Sequence, residues 1–110
     1  MKIEENLKRL IEGTEKGKIV WERKNPTTYN WKTASSDGTH INIILQKYKS
    51  KDQPDMLFRL WNLDDRYSLL DLQYKDASEE TKRLLQELYE KVSGNDLYIK
   101  DIFSDILRDI

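Results

Sequence analysis

Apolar side chains first recur at Ile3, Leu7, Leu10 and Ile11, the i, i+4, i+7, i+8 spacing of one helical face. This predicts an amphipathic N-terminal helix that stops at Gly13 or Gly17, because glycine takes the left-handed cap geometry without steric cost. The period then changes. Ile19 and Trp21 alternate with Lys18, Val20 and Glu22, and past Asn25-Pro26, Tyr29, Trp31 and Thr33 alternate with Asn30 and Lys32. Alternation at every second residue marks strands with one buried face. Ser36-Asp37-Gly38 predicts a hairpin turn, since Asp-Gly accommodates the positive φ a tight turn requires. A third strand should run from His40 to about Tyr48, followed by a polar loop from Lys49 to Asp55 that contains Pro54. A fourth strand, Met56 to about Leu63, and a fifth, Tyr67 to Tyr74, flank a short turn at Asp64-Asp65.

The helical period returns at Leu84, Leu85, Leu88, Tyr89 and Val92. Asp76 and Glu79 have capping-box spacing at the start of this helix, and Gly94 suits its end. Asn95 or Asp96 can cap a further helix with Ile99, Ile102, Phe103, Ile106 and Ile110 on its apolar side. The predicted fold is α+β in one domain spanning residues 1–110. An N-terminal helix precedes a five-stranded, mainly antiparallel meander, and two C-terminal helices join it on one sheet face. The layout resembles that of many small bacterial proteins, a likeness of architecture that carries no functional residues with it.

Composition narrows the function classes. Of 110 residues, 35% are charged and 37% apolar, enough for one core under a well-solvated surface. The net charge is -1, without the basic excess of a dedicated duplex binder. The charge is uneven: residues 1–75 carry 14 basic and 11 acidic side chains, residues 76–110 carry 5 and 9. There is no cysteine, which excludes thiolate nucleophiles, disulfides and cysteine-based metal sites. Met1-Lys2-Ile3-Glu4-Glu5 enters a charged helical pattern directly, so no secretory signal is expected. No apolar run approaches the roughly 18 residues of a membrane span, and a cytoplasmic location is expected.

Catalytic and cofactor chemistry finds little footing. His40 is the single histidine, and no spacing ties it to a nucleophile or metal. The pairs Asp52/Asp55 and Asp64/Asp65 read as turn chemistry, not as an acid–base dyad. Gly13, Gly17, Gly38 and Gly94 form no phosphate-binding loop. No enzyme activity, cofactor or metal is therefore expected.

Two surfaces stand out. Parity assigns Trp21, Trp31, Ile43, Leu45, Phe58 and Leu60 to the core, with Leu88 from the helix. The opposite sheet face should then carry Ile44, Tyr48, Leu57, Trp61, Tyr67 and Leu69 among Lys32, His40, Asn42, Gln46 and Arg59. Aromatics and arginine mixed with amides match the make-up of contact surfaces, unless a helix or the Lys49–Asp55 loop covers them. The second surface is the acidic stripe Asp101, Asp105 and Asp109 at i, i+4, i+8, whose last member opposes the helix dipole. The expected function is a small protein-interaction module, an adaptor, inhibitor or regulatory subunit. It would bind a protein partner or itself through Trp61, Ile44, Tyr67, Arg59, Leu57 and Tyr48. A single-stranded nucleic-acid binder using the same face, with Lys47, Lys49 and Lys51 nearby, is the alternative, and a small hydrolase is third.

Overall fold

The computed structural model describes residues 2–94 and 103–110. Helix α1 covers Ile3–Glu15 and buries Leu7, Ile11 and Thr14. Gly17, at φ +72°, ends it as a Schellman motif. The Lys18 N–H donates to the Gly13 carbonyl at 2.9 Å and the Gly17 N–H to the Thr14 carbonyl at 3.1 Å. The Ile19 N–H also donates to the Gly13 carbonyl, at 3.1 Å. This folds Ile19 back over Gly13 so closely that a Cβ there would stand 2.8 Å from Ile19 Cδ1. Ile19 and Trp21 thus pack from the linker, and the first strand starts later than their alternation suggests.

Strands β1 (Glu22–Asn25), β2 (Thr28–Ala34), β3 (His40–Ser50), β4 (Gln53–Asn62) and β5 (Tyr67–Gln73) form one sheet in that order. Every neighbouring pair is antiparallel, so the sheet is a meander. The expected Lys49–Asp55 loop does not exist. β3 and β4 stay paired through Lys49↔Pro54 and Ser50↔Gln53, and the chain reverses over Lys51 and Asp52 at φ 52° and 63°. Two successive positive φ values are those of a type I′ hairpin, whose twist matches the flanking strands. Pro54 is tolerated because β4 pairs with β5 only from Leu57 onward, leaving its first residues with one neighbour.

A single 3₁₀ turn, Tyr74–Asp76, leads to helix α2, Glu79–Gly94. Ser78, not Asp76, caps α2: its Oγ accepts the Thr81 N–H at 3.2 Å. Asp76 belongs to the 3₁₀ turn and lies too early to reach that amide. The two helices run in the same direction, with Thr81 donating to Glu4 at one end and Lys91 pairing with Glu15 at 3.3 Å at the other.

Leu7 and Ile11 of α1 and Leu84, Leu85, Leu88, Tyr89 and Val92 of α2 meet Tyr29, Ile43, Leu45, Met56 and Phe58 of the sheet. Phe58 and Leu88 are fully enclosed, and Tyr29 meets Tyr89 edge-on at 5.8 Å. Trp21 and Trp31 are only half-buried; their rings lie 6.4 Å apart, and Trp21 Nε1 donates to Thr14 Oγ1. Residues 103–107 form the short second C-terminal helix, and all of 103–110 are exposed. No helix among the described residues is long and apolar enough to cross a membrane.

Candidate interaction surfaces

The outer face of the sheet, away from α1 and α2, carries most of the predicted contact residues. Cross-strand partners share a face, so the register places each one. Trp61 lies between Asn42 and Ser68, Ile44 between Asn30 and Arg59, and Leu57 between Gln46 and Gln73. These three apolar residues are all half-buried and meet only on the diagonal, each with polar partners directly opposite. Tyr48 pairs with Asp55 at the β3–β4 end of the sheet.

Several polar groups on this face are engaged with one another, although the buried Asn30 Oδ1 accepts no hydrogen bond among the described residues. The Arg59 Nε donates to Asp71 Oδ1 at 2.5 Å, and Ser68 Oγ donates to the same oxygen at 2.7 Å. The Arg59 guanidinium, then the Ser68 hydroxyl, hold the Asp71 carboxyl below the usual carboxylate range. Asn30 is buried and its Nδ2 donates to Asn42 Oδ1 at 3.0 Å. Tyr48 Oη accepts from Gln73 Nε2 at 3.1 Å and donates to Asp55 Oδ2 at 3.0 Å.

Asp55 is 5% exposed and serves the end of the β4–β5 ladder. Its Oδ1 accepts the Met56 N–H at 2.8 Å and the Lys75 N–H at 3.1 Å, where β5 has already turned away. Burial pushes this carboxyl up, but the two amides and the Tyr48 hydroxyl together outweigh it and leave the pKa lowered. His40 is tied to the β4–β5 turn. Asp64 accepts both its backbone N–H and its ring Nδ1 at 2.9 Å, contacts that lower the Asp64 carboxyl. Among the described residues no cluster of three or more His, Asp or Glu is placed to hold a metal ion.

Tyr67 and Leu69 leave the outer face, and a β-bulge is the reason. Leu60 pairs with Leu70 but Trp61 pairs with Ser68, so Leu69 is an extra residue in β5. Alternation shifts by one at that point. Tyr67 comes to lie opposite Asn62, in the row that runs through Thr33 and Ile41, rather than beside Trp61. Leu69, 47% exposed, turns into a groove on the helix side.

That groove is an apolar concavity. It encloses about 610 Å³ between α1 and the sheet. Trp31, Ile43, Phe58, Leu60, Leu69 and Leu70 form its floor, Ile3, Leu10 and Ile19 its walls, and Asn6 and Arg9 its rim. It arises because α1 is wider in apolar residues than its contact with α2 needs. Leu7, Ile11 and Thr14 are buried, whereas Ile3 and Leu10 are half-buried on the groove side. Two signals in the sequence point to it: the broad apolar stripe of α1, and the adjacent Leu69-Leu70 that breaks strand alternation.

Of the acidic stripe, Asp101 lies outside the described residues. Asp105 and Asp109 are exposed on the C-terminal segment, where Asp105 pairs with Arg108 at 3.4 Å. They are not brought together with the outer-face residues by any contact in the fold described above. Comparison of the chain with protein-family models, curated proteins and solved structures finds no match.

Proposed function

We propose that this chain is a small protein-interaction module whose contact surface is the apolar groove beside α1. The observation that carries the reading is the groove itself: about 610 Å³, apolar in floor and walls, with two polar residues at its rim. Its volume falls within the range of sites that bury a ligand. An apolar groove flanked by a helix suits the helix-in-groove mode, in which a partner helix inserts anchors spaced i, i+3, i+4, i+7. Leu69 extends the apolar floor to the exposed surface, where a partner would meet it first.

The outer-face alternative has less support. Its arginine is neutralised by Asp71 and its apolar residues are separated by polar partners. A single-stranded nucleic acid needs unencumbered cations and a stacking platform, and there Trp61 stands without an aromatic neighbour across the ladder. Hydrolysis has less support again. Asp55, Asp64 and Asp71 all have lowered pKa values as hydrogen-bond acceptors, which suits poorly the proton shuttling a general acid or base performs near neutral pH.

The test compares two variants as bait in native lysate, with bound protein and nucleic acid both identified. Leu69→Glu should lose the protein partner that the wild type retains, and Trp61→Ala should keep it. Retention by Leu69→Glu with loss by Trp61→Ala, or recovery of nucleic acid alone, overturns the groove as the contact surface.

A further inference from the structure

The chain itself carries a segment shaped for this groove. Phe103, Ile106, Leu107 and Ile110 are 59%, 63%, 54% and 98% exposed, a concentration of large apolar side chains on water unmatched elsewhere in the described residues. Their spacing is i, i+3, i+4, i+7, the anchor pattern of a helix that lies in a groove. Asp105 and Asp109 flank these anchors. The groove rim carries one cation, Arg9, which also borders an adjoining hollow where Lys18 lies beside the Lys16–Glu12 ion pair. With Asp105 paired to Arg108, Asp109 is left, among the described residues, as the segment's unpaired side-chain charge, and it is complementary to Arg9 at the groove rim, as the apolar anchors are to the groove itself.

We infer that the groove of one chain takes the C-terminal segment of a second copy, and that the two copies exchange these segments reciprocally. The inference rests on the reading of the groove as a protein contact surface and names its occupant. Within one chain the segment is exposed and the groove stands open, so both surfaces await a partner. The groove is lined by α1, the linker after it and β2 to β5, and α2 contributes nothing to it. Exchange between two copies satisfies both surfaces at once about a two-fold axis, which closes the assembly. A head-to-tail arrangement would leave one groove and one segment uncovered at its ends.

The sequence has no cysteine, so introduced thiols report without background. Affinity-tagged Leu69→Cys protein is mixed with untagged Leu107→Cys protein and oxidised with copper phenanthroline. Both positions are exposed, so each variant should fold. The expected result is a disulfide-linked dimer that contains one chain of each kind, formed well above the level given by Ser36→Cys in place of Leu69→Cys. Sedimentation should show a wild-type dimer, and removal of residues 103–110 should weaken self-association roughly ten-fold or more. A chain carrying both cysteines that closes on itself as a monomer overturns the exchange in favour of an internal clasp. Absence of any cross-link above the control overturns the segment as occupant. If Leu69→Glu still loses its lysate partner in that case, the contact surface stands and only its occupant is wrong. If Leu69→Glu changes neither association, both readings fall.

Discussion

Replacing Asp55 with alanine should cost about 2–4 kcal/mol, the balance of two opposing effects. The carboxylate accepts three donors: the Met56 and Lys75 amides at 2.8 and 3.1 Å and the Tyr48 hydroxyl at 3.0 Å. At 5% exposure the site admits little water, so both amides lose their acceptor. A buried donor without a partner costs roughly 1–3 kcal/mol, which puts the two amides together near 2–6 kcal/mol. Removing the carboxylate also relieves the cost of burying it, which brings the net loss toward the lower half of that range. Asp55→Asn keeps an oxygen for the amides but turns a donor toward Tyr48, and should lose about 1–2 kcal/mol. Urea unfolding followed by tryptophan fluorescence at pH 7 measures both variants. A loss below about 1 kcal/mol for alanine, or equal losses for both, would refute the role given to the carboxylate. The pH dependence supplies a second reading. The folded-state pKa is lowered, so the folded state binds fewer protons than the unfolded chain at pH values near the ordinary carboxylate value of 3.8. The stabilisation is therefore complete above that value and disappears as the pH falls through the lower folded value. The gap between wild type and Asp55→Asn should narrow below about pH 4 and stay constant above about pH 5.

Two further outcomes follow from the packing and the turn. Phe58→Ala should cost roughly 3–5 kcal/mol in the same titration, since Phe58 is 1% exposed at the centre of the core. Replacing Lys51-Asp52 with Asn-Gly should raise stability by about 1 kcal/mol, because both residues now hold positive φ values that asparagine and glycine adopt more readily; an unchanged or lower urea midpoint would refute the type I′ turn.

The elements were legible wherever periodicity and turn chemistry agreed. Leu84 to Val92 announce a helix, and Ser36-Asp37-Gly38 announces a hairpin, as found. The β3–β4 tip was not legible, because Lys51 does not favour positive φ and Asp52 only tolerates it. That conformation is imposed by two long strands whose side chains keep register to Ser50↔Gln53. The contact surface was harder to read for a related reason. Apolar residues can be counted along a strand, but register decides what faces them. Ile44, Leu57 and Trp61 look like a patch when counted together, and the ladder sets polar side chains opposite each of them. One inserted residue, Leu69, moves Tyr67 away from Trp61 and opens the floor of the groove on the other side. The strand's own break in alternation records that shift, but only pairing with β4 says which residue is the extra one.

The parallel pairing of α1 with α2 has a consequence for how the protein is made. Each strand of the meander meets the one synthesised just before it, so the sheet can assemble from local hairpins as the chain emerges from the ribosome. The first helix finds such neighbours only in Ile19 and Trp21 just after it. Leu7 and Ile11 complete their packing with side chains as late as Val92, and Glu4 finds its hydroxyl partner at Thr81. Throughout translation the apolar stripe of α1 and the inner face of the sheet are exposed together, at the stage when nascent chains are most prone to chaperone capture and aggregation. Closure of the core over the inner face of the sheet therefore waits for α2, the last of the core elements in chain order.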